Sequence, residues 1–307
     1  MGVTIAQTNL DGILPLIARG KVRDIYEVNS ETLLFVATDR ISAYDVIMDN
    51  TIPDKGILLT KLSEFWFQFL SKDVRNHLVD IPAGKSIFDF LPKELSEAKY
   101  REQLEGRSLL VQKHKLIPLE VIVRGYITGS AWKEYTKCGT VHSLPQPKGL
   151  QESEEFPVAI FTPSTKAEQG DHDENISPAQ AEELVGKDLC KRVAELAINL
   201  YTKAREYAKT KGIIIADTKF EFGIDEKTDE IILVDEVLTP DSSRFWSKAT
   251  YQLGKSQDSY DKQFLRDWLT SNKLAGVEGV KMPDDIVERT RAKYLEAYES
   301  ITGSKLQ

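Results

Sequence analysis

Cysteine is nearly missing: Cys138 and Cys190 are the only two in 307 residues. They sit in unrelated settings without metal-ligand spacing, so neither a disulfide framework nor a thiolate zinc centre is expected, and the chain reads as a reduced, cytoplasmic protein. Long apolar runs are also missing. Nothing approaches the roughly 18 consecutive apolar residues of a membrane span, and the N-terminus has no basic region followed by an apolar core, so neither insertion nor export is expected. Positive charge is in deficit, with 40 Lys and Arg against 48 Asp and Glu, a net charge of -8 and a pI near 5.3. That balance speaks against nucleic acid or an anionic membrane as partner and leaves room only for a small local basic pocket. There is no internal repeat, Rossmann fingerprint or serine-hydrolase elbow. The tempting Gly84-Lys85-Ser86 is not a P-loop, because the glycine required five positions earlier is Val79. No obligate protein partner is evident.

What is present is an ordinary globular composition, 41% hydrophobic and 29% charged, enough chain for one large or two ordinary domains with their own cores. The most informative stretch runs from Gly212 to Trp246. Two apolar, β-branched runs, Ile213 to Ile215 and Ile231 to Val234, flank a Gly- and Asp-containing polar turn, which predicts a β-hairpin. Alternation along the first strand puts Asp217, Lys219 and Glu221 on one face and Phe220 and Phe222 on the other. Asp235 and Glu236 end the second strand beside them. Carboxylates gathered in this way repel one another unless a cation sits among them, and Mg²⁺ takes a few carboxylates together with substrate phosphates. A Mg-nucleotide site competes here with a plain solvated hairpin. The continuous apolar run Ile213 to Ala216 suggests a strand buried on both faces, which favours a cleft.

Earlier in the chain, Ile13 to Thr38 reads as three antiparallel strands whose first connection is Gly20-Lys21-Val22-Arg23. That connection is either a simple turn or a loop laid over a phosphate chain. Asp39, Arg40 and Ser42 leave the third strand in a polar cluster of the kind that contacts substrates. Leu58 to Leu70 predicts a helix with Leu62, Phe65, Trp66 and Phe69 in the core, and Ser108 to Lys113 a further strand. In Leu116 to Ser130, Glu120 and Arg124 interrupt an apolar strand and read as a structural ion pair. Gly129-Ser130 opens a helix whose free amides favour an anion. Phe161 to Ile176 is polar, with Pro and Gly, and reads as a long loop, either a lid or a disordered linker. Within it, Asp171-His172-Asp173 has too few ligands for zinc. Ser177-Pro178 caps the next helix, and the residues from Val193 to Ala204 trace the apolar face of a long one. Ser259 to Leu269 and Pro283 to Ile301 read as two scaffold helices.

Two segments, Leu116 to Ser130 and Ile215 to Gly223, closely resemble the paired signatures of the phosphoribosylaminoimidazole-succinocarboxamide synthase (SAICAR synthetase) family. Gly20-Lys21-Val22-Arg23-Asp24, Ser42-Ala43-Tyr44-Asp45, Asp235-Glu236 and Pro240-Asp241-Ser242-Ser243-Arg244 fall in family order, and the whole is most similar to the fungal branch. The resemblance implies an α+β fold. It would comprise an N-terminal antiparallel sheet lobe (1–112) over an ATP cleft and a larger C-terminal α+β lobe (113–307) with terminal helices, distantly kinase-like or ATP-grasp-like. It implies an ATP-dependent ligase of purine biosynthesis that joins 5-aminoimidazole-4-carboxylate ribonucleotide (CAIR) to L-aspartate through an acyl phosphate, with ATP and Mg²⁺. By that match Gly20, Lys21, Arg23 and Lys113 attend the nucleotide, and Glu221 and Asp235 the metal. Arg124, Ser130, Ser243 and Arg244 would hold CAIR, with Asp217 and Lys219 at the reacting carboxylate. Asp39, Arg40, Ser42, Lys166 and His172 are the candidates for the L-aspartate side. A kinase-like small-molecule phosphotransferase would share the glycine loop and metal, and an inert nucleotide sensor would bind without turnover.

Overall fold

The short β-branched runs near the N-terminus form β1 (Leu16–Arg19), β2 (Arg23–Glu27) and β3 (Thr32–Ala37) of a computed structural model, which describes residues 4–166, 174–260 and 262–306. After them come β4 (Ser42–Ala43), β5 (Val46–Ile47), α1 (Lys55–Phe69), β6 (Arg75–Asn76), α2 (Ala98–Leu104) and β7 (Ser108–Gln112). Next are β8 (Lys115–Leu116), β9 (Leu119–Tyr126), α3 (Gly129–Cys138), β10 (Thr140–Val141), β11 (Leu144–Pro145), β12 (Glu155–Phe161) and β13 (Ser164–Thr165). The chain continues through α4 (Pro178–Val185), α5 (Lys187–Thr210), β14 (Ile213–Asp225), β15 (Glu230–Val234), β16 (Ser243–Ser247), α6 (Gln263–Ser271) and α7 (Asp284–Thr302).

Two compact units result. The first comprises Met1–Phe65, His77–Lys113 and Asp261–Gln307, and the second Trp66–Asn76 and His114–Tyr260. In the first, an antiparallel sheet of order β1-β2-β3-β7 turns between β2 and β3 at Asn29, whose side chain accepts from Glu31 N (2.9 Å) as Asn does in tight turns. Tyr26, Leu34, Val36 and Leu110 from this sheet pack with Leu95 and Leu104. The terminal helices belong to this unit, not to the later part of the chain where sequence order had put them. The reason is tertiary and distant in sequence: Asn50 and Met282 exchange two hydrogen bonds of 2.9 and 2.8 Å, and Arg291 Nε donates to Asp54 at 2.9 Å.

The second unit is built on an eight-stranded sheet with the path β12-β9-β14-β15-β6. β13 is added at β9, and β8 and β16 at β14. The hairpin read from Gly212 to Trp246 is present as antiparallel β14 and β15, and Ile213, Ile214, Ile215 and Ala216 are buried as their unbroken apolar run requires. The apolar stripe of α5, including Val193, Ala197, Leu200, Tyr201 and Ala204, is buried. Its Tyr201 hydroxyl donates to Ile215 O at 2.6 Å. Gly125 makes room for that ring, since a Cβ there would stand 2.0 Å from the hydroxyl. Phe69 departs from its expected core position, being 37% exposed, and lies against Tyr207 with ring centroids 4.8 Å apart. Among the described residues no helix is long and apolar enough to cross a membrane.

Candidate active site

Three strands of the second unit bring its charged side chains into register. Asp217 of β14 stands opposite Arg124 of β9 on one side and Arg244 of β16 on the other. Arg124 Nη1 lies 3.2 Å from Asp217 Oδ2, and Arg244 pairs with the same oxygen. The remaining Arg124 nitrogens reach Thr162 Oγ1 (3.0 Å) and Ser130 Oγ (3.4 Å). Ser130 opens α3 beside Gly129, whose φ is +59° and where a Cβ would sit 2.6 Å from Arg244 Nη2. Only glycine lets that guanidinium lie against a helix N-terminus, where unpaired amides favour an anion. Ser243 joins through a 2.8 Å hydroxyl contact with Thr218.

Two residues along β14, Lys219 Nζ donates to Glu120 Oε1 at 2.6 Å and approaches Glu221 Oε1 at 3.4 Å. Lys166 pairs with the other Glu221 oxygen. Burial works against the Lys219 ammonium, but Glu221, Glu120 and Asp235 outweigh it and hold its pKa well above the ordinary 10.5. Lys219 is therefore a fixed cation and not a proton acceptor at neutral pH. Phe220 and Phe222, on the opposite face, are fully buried.

Glu120 and Arg124 do not pair with each other as their spacing suggested. On a strand the two residues are two pleats apart, out of mutual reach, and each turns across the sheet to β14 instead. Asp235 follows β15 in a left-handed conformation, φ 66°, and begins a turn in which sequence reading noted Pro240 to Ser243 but not Thr239. Thr239 Oγ1 donates to Glu236 (2.6 Å), Thr239 N donates to Ser242 Oγ (3.1 Å), and Ser242 O accepts from Lys219 N (2.9 Å). The Thr-x-x-Ser spacing 239–242, a local turn signal, was the available clue.

The first-unit candidates are arranged differently. Gly20 N donates to Arg23 O at 2.8 Å, closing the loop. Arg40, buried, donates to the carbonyls of Lys21 (3.1 Å), Gly20 (2.9 Å), Arg23 (3.2 Å) and Ala6 (2.6 Å) and pairs with Asp24 (2.9 Å). Asp39 accepts from Ile5 N (2.7 Å) and Gly56 N (2.9 Å) and pairs with Arg107 (3.0 Å). The polar atoms of Arg40 and Asp39 are thus spent on the fold. Lys21 is exposed and paired with Asp45, Lys113 is paired with Glu27, Arg23 lies 5.8 Å over the Phe35 ring, and Ser42 is buried in β4. His172, with Asp171 and Asp173, lies outside the described residues. So does the central part of the expected lid, 167–173, but its described ends are not loose: Thr165 N donates to Glu174 O at 2.9 Å and Ile176 N to Pro163 O at 3.1 Å.

The SAICAR synthetase family model matches residues 16–283. The chain belongs to the SAICAR synthetase family. Its activity is that of the family, a ligase of purine biosynthesis. It is 80% identical to the phosphoribosylaminoimidazole-succinocarboxamide synthase of Saccharomyces cerevisiae, over 99% of both chains. It is 57% identical to that of Schizosaccharomyces pombe, again over 99% of each. The fold superposes on a Saccharomyces cerevisiae SAICAR synthase complexed with SAICAR at a TM-score of 0.95 and 78% identity, covering 99% of this chain and 100% of that one. A SAICAR synthetase in complex with ADP matches at a TM-score of 0.67 and 27% identity, over 94% of this chain and 99% of that one.

Proposed function

We propose that the second-unit cluster holds CAIR and that Lys219 serves its reacting carboxylate, while the Gly20–Arg23 loop covers the ATP phosphates. The observation that carries this reading is the in-register row of Arg124, Asp217 and Arg244, with Lys219 fixed two residues along the same strand face. Two guanidiniums beside Ser130, Ser243 and the α3 N-terminus suit a phosphate dianion, which accepts forked, charge-assisted hydrogen bonds. An ammonium that stays charged suits a carboxylate that must approach an anionic phosphate. Lys166 and Ser42 are the described residues left for the L-aspartate side, since Arg40 and Asp39 are bound into the first unit.

A carboxylate resists attack by an amine because its leaving group would be oxide. In the proposed sequence a CAIR carboxylate oxygen bonds to the γ-phosphorus as the bond to the β-phosphate oxygen breaks, releasing ADP. The aspartate nitrogen then bonds to the acyl carbon as the C–O bond breaks and phosphate leaves. Lys219 offsets charge at the carboxylate, and Arg124 and Arg244 orient the nucleotide end, so positioning and electrostatics supply the catalysis. Among the described residues no group of three or more His, Cys, Asp or Glu is placed to hold a metal ion. Magnesium carried on nucleotide phosphates needs only one or two carboxylates, and the hard oxygens of Glu221 and Asp235 fit that requirement. When bound it would neutralise charge on the transferring phosphoryl group.

The test is to follow oxygen. With CAIR labelled by ¹⁸O in its carboxylate, the released phosphate should carry label, and ADP should appear only when CAIR is present. Unlabelled phosphate would overturn the acyl phosphate, and ADP release driven by a sugar alcohol but not by CAIR would favour a kinase-like phosphotransferase.

A further inference from the structure

The hairpin of β10 and β11 turns through two residues, His142 and Ser143, with φ of 47° and 64°. Two-residue hairpin loops with left-handed backbone at both positions normally take Asn-Gly, Asp-Gly or Gly-Gly, because side chains strain there. This turn uses neither Gly nor Asn. A single carboxylate of α3 holds it: Glu134 accepts from His142 N (2.9 Å), Ser143 N (3.0 Å) and Thr140 Oγ1 (2.7 Å). The His142 ring is buried, 3% exposed. Its Nδ1 lies 3.0 Å from Pro163 O and 3.2 Å from Ile176 O. Both are acceptors, so Nδ1 carries the proton and Nε2 the lone pair. Nε2 is buried with no hydrogen-bond partner among the described residues. A strained backbone and an unsatisfied ring nitrogen at one residue persist only where the surroundings over-determine them.

What the ring grips is the neck formed by residues 163–166 and 174–176. Besides the two backbone hydrogen bonds above, Glu174 N donates to Thr165 Oγ1 (3.0 Å) and Ser164 Oγ to Asn175 Oδ1 (3.0 Å). The neck adjoins the site at both ends. Thr162, before Pro163, accepts from Arg124, and Lys166, after Thr165, pairs with Glu221. Ser164 stands opposite Glu120 in the ladder.

We propose that His142 is a positioning residue whose Nδ1–H clasps Pro163 O and Ile176 O, closing the neck so that Thr162 is set against Arg124 and Lys166 against Glu221. Asn at 142 keeps a donor at nearly the Nδ1 position and tolerates the left-handed turn, whereas Gly keeps the turn and deletes the donor. The pair therefore separates the ring's bond from the backbone's conformation. The consequence for catalysis rests on the reading of Arg124 and Lys166 as substrate residues; the clasp itself does not.

The experiment measures amide hydrogen exchange and steady-state kinetics on the full chain of His142→Gly and His142→Asn. In the Gly variant, exchange at Thr165 and Ile176 should quicken at least about tenfold while β14 amides keep their protection. Its kcat/KM for CAIR should fall about tenfold with KM for ATP unchanged. The Asn variant should restore both. Unchanged exchange in the Gly variant would overturn the clasp, as would an Asn variant that behaves like Gly with β14 intact. Faster exchange with normal CAIR kinetics would overturn the positioning role, and loss of β14 protection with all substrates affected would make His142 merely structural. An Arg244→Lys control distinguishes the two readings: no change in KM for CAIR there would fault the substrate site, while exchange alone judges the clasp.

Discussion

Arg40 in the first unit and Arg124 in the second are both buried guanidiniums, and they are spent in opposite ways. Arg40 gives its donors to four backbone carbonyls and to Asp24, and so holds the Gly20–Arg23 loop from behind. Arg124 gives its donors to three side chains, Asp217, Thr162 and Ser130, from three different elements or connections. A guanidinium bound to backbone fixes the course of the chain. One bound to hydroxyls and a shared carboxylate sits among groups that a ligand anion can displace or join, because hydroxyls rotate and the carboxylate has a second cation in Arg244. The first arrangement builds a support, and the second is the proposed site.

The sharpest way to break this contrast is to remove Asp217. Asp217→Ala leaves Arg124 buried with an uncompensated charge, and should cost about 3–5 kcal/mol of stability, read as a lowered urea midpoint. A loss near zero would mean that solvent reaches Arg124 and that the row is not a buried ion network. Next in size is Gly129→Ala. Its Cβ would stand 2.6 Å from Arg244 Nη2 and turn the guanidinium away, on a backbone whose φ of +59° strains any side chain, and kcat/KM for CAIR should drop about a hundredfold with the global fold kept. Retained activity would remove Arg244 from its place at the α3 N-terminus.

The smallest effect expected is on acid stability. Burial first, then the nearby Arg124 cation, lowers the His142 pKa from its ordinary 6.5, with hydrogen bonds to Ile176 and Pro163 and the Glu134 carboxylate opposing them. Because the unfolded chain takes up a proton that the folded ring refuses, stability present above pH 6.5 is lost as pH falls toward the folded pKa. His142→Asn should flatten the urea-midpoint profile below pH 6.5 and leave it unchanged at about pH 8. An unaltered acid limb would show that His142 titrates normally.

How much of this was legible in the sequence differs between the same two regions. The β14–β15 hairpin and the alternation of Asp217, Lys219 and Glu221 against Phe220 and Phe222 follow from period-two patterning, which is local. So does the Ser177 cap, whose capping box with Gln180 is present. The partners of those charges were not legible. Glu120 and Arg124 looked like a pair because they are four apart in sequence, yet strand geometry sends each to a residue about a hundred positions away. Arg40 and Asp39 looked like loop residues facing a substrate, and only tertiary packing against Ala6 and Gly56 shows that the fold uses them. His142 gave no signal at all, since its hairpin has the wrong residues for its turn.

The central claim is that the second-unit row binds the ribonucleotide and the first-unit loop the nucleoside triphosphate. The direct test is to measure KM for CAIR and for ATP in Arg244→Lys beside Lys21→Met. An ammonium cannot reproduce a guanidinium fork, so Arg244→Lys should raise KM for CAIR about thirtyfold, roughly 2 kcal/mol, with KM for ATP unmoved. Lys21→Met should do the reverse. Equal rises for both substrates in Arg244→Lys, or a rise for ATP alone, would contradict the division of the two anions between the two units.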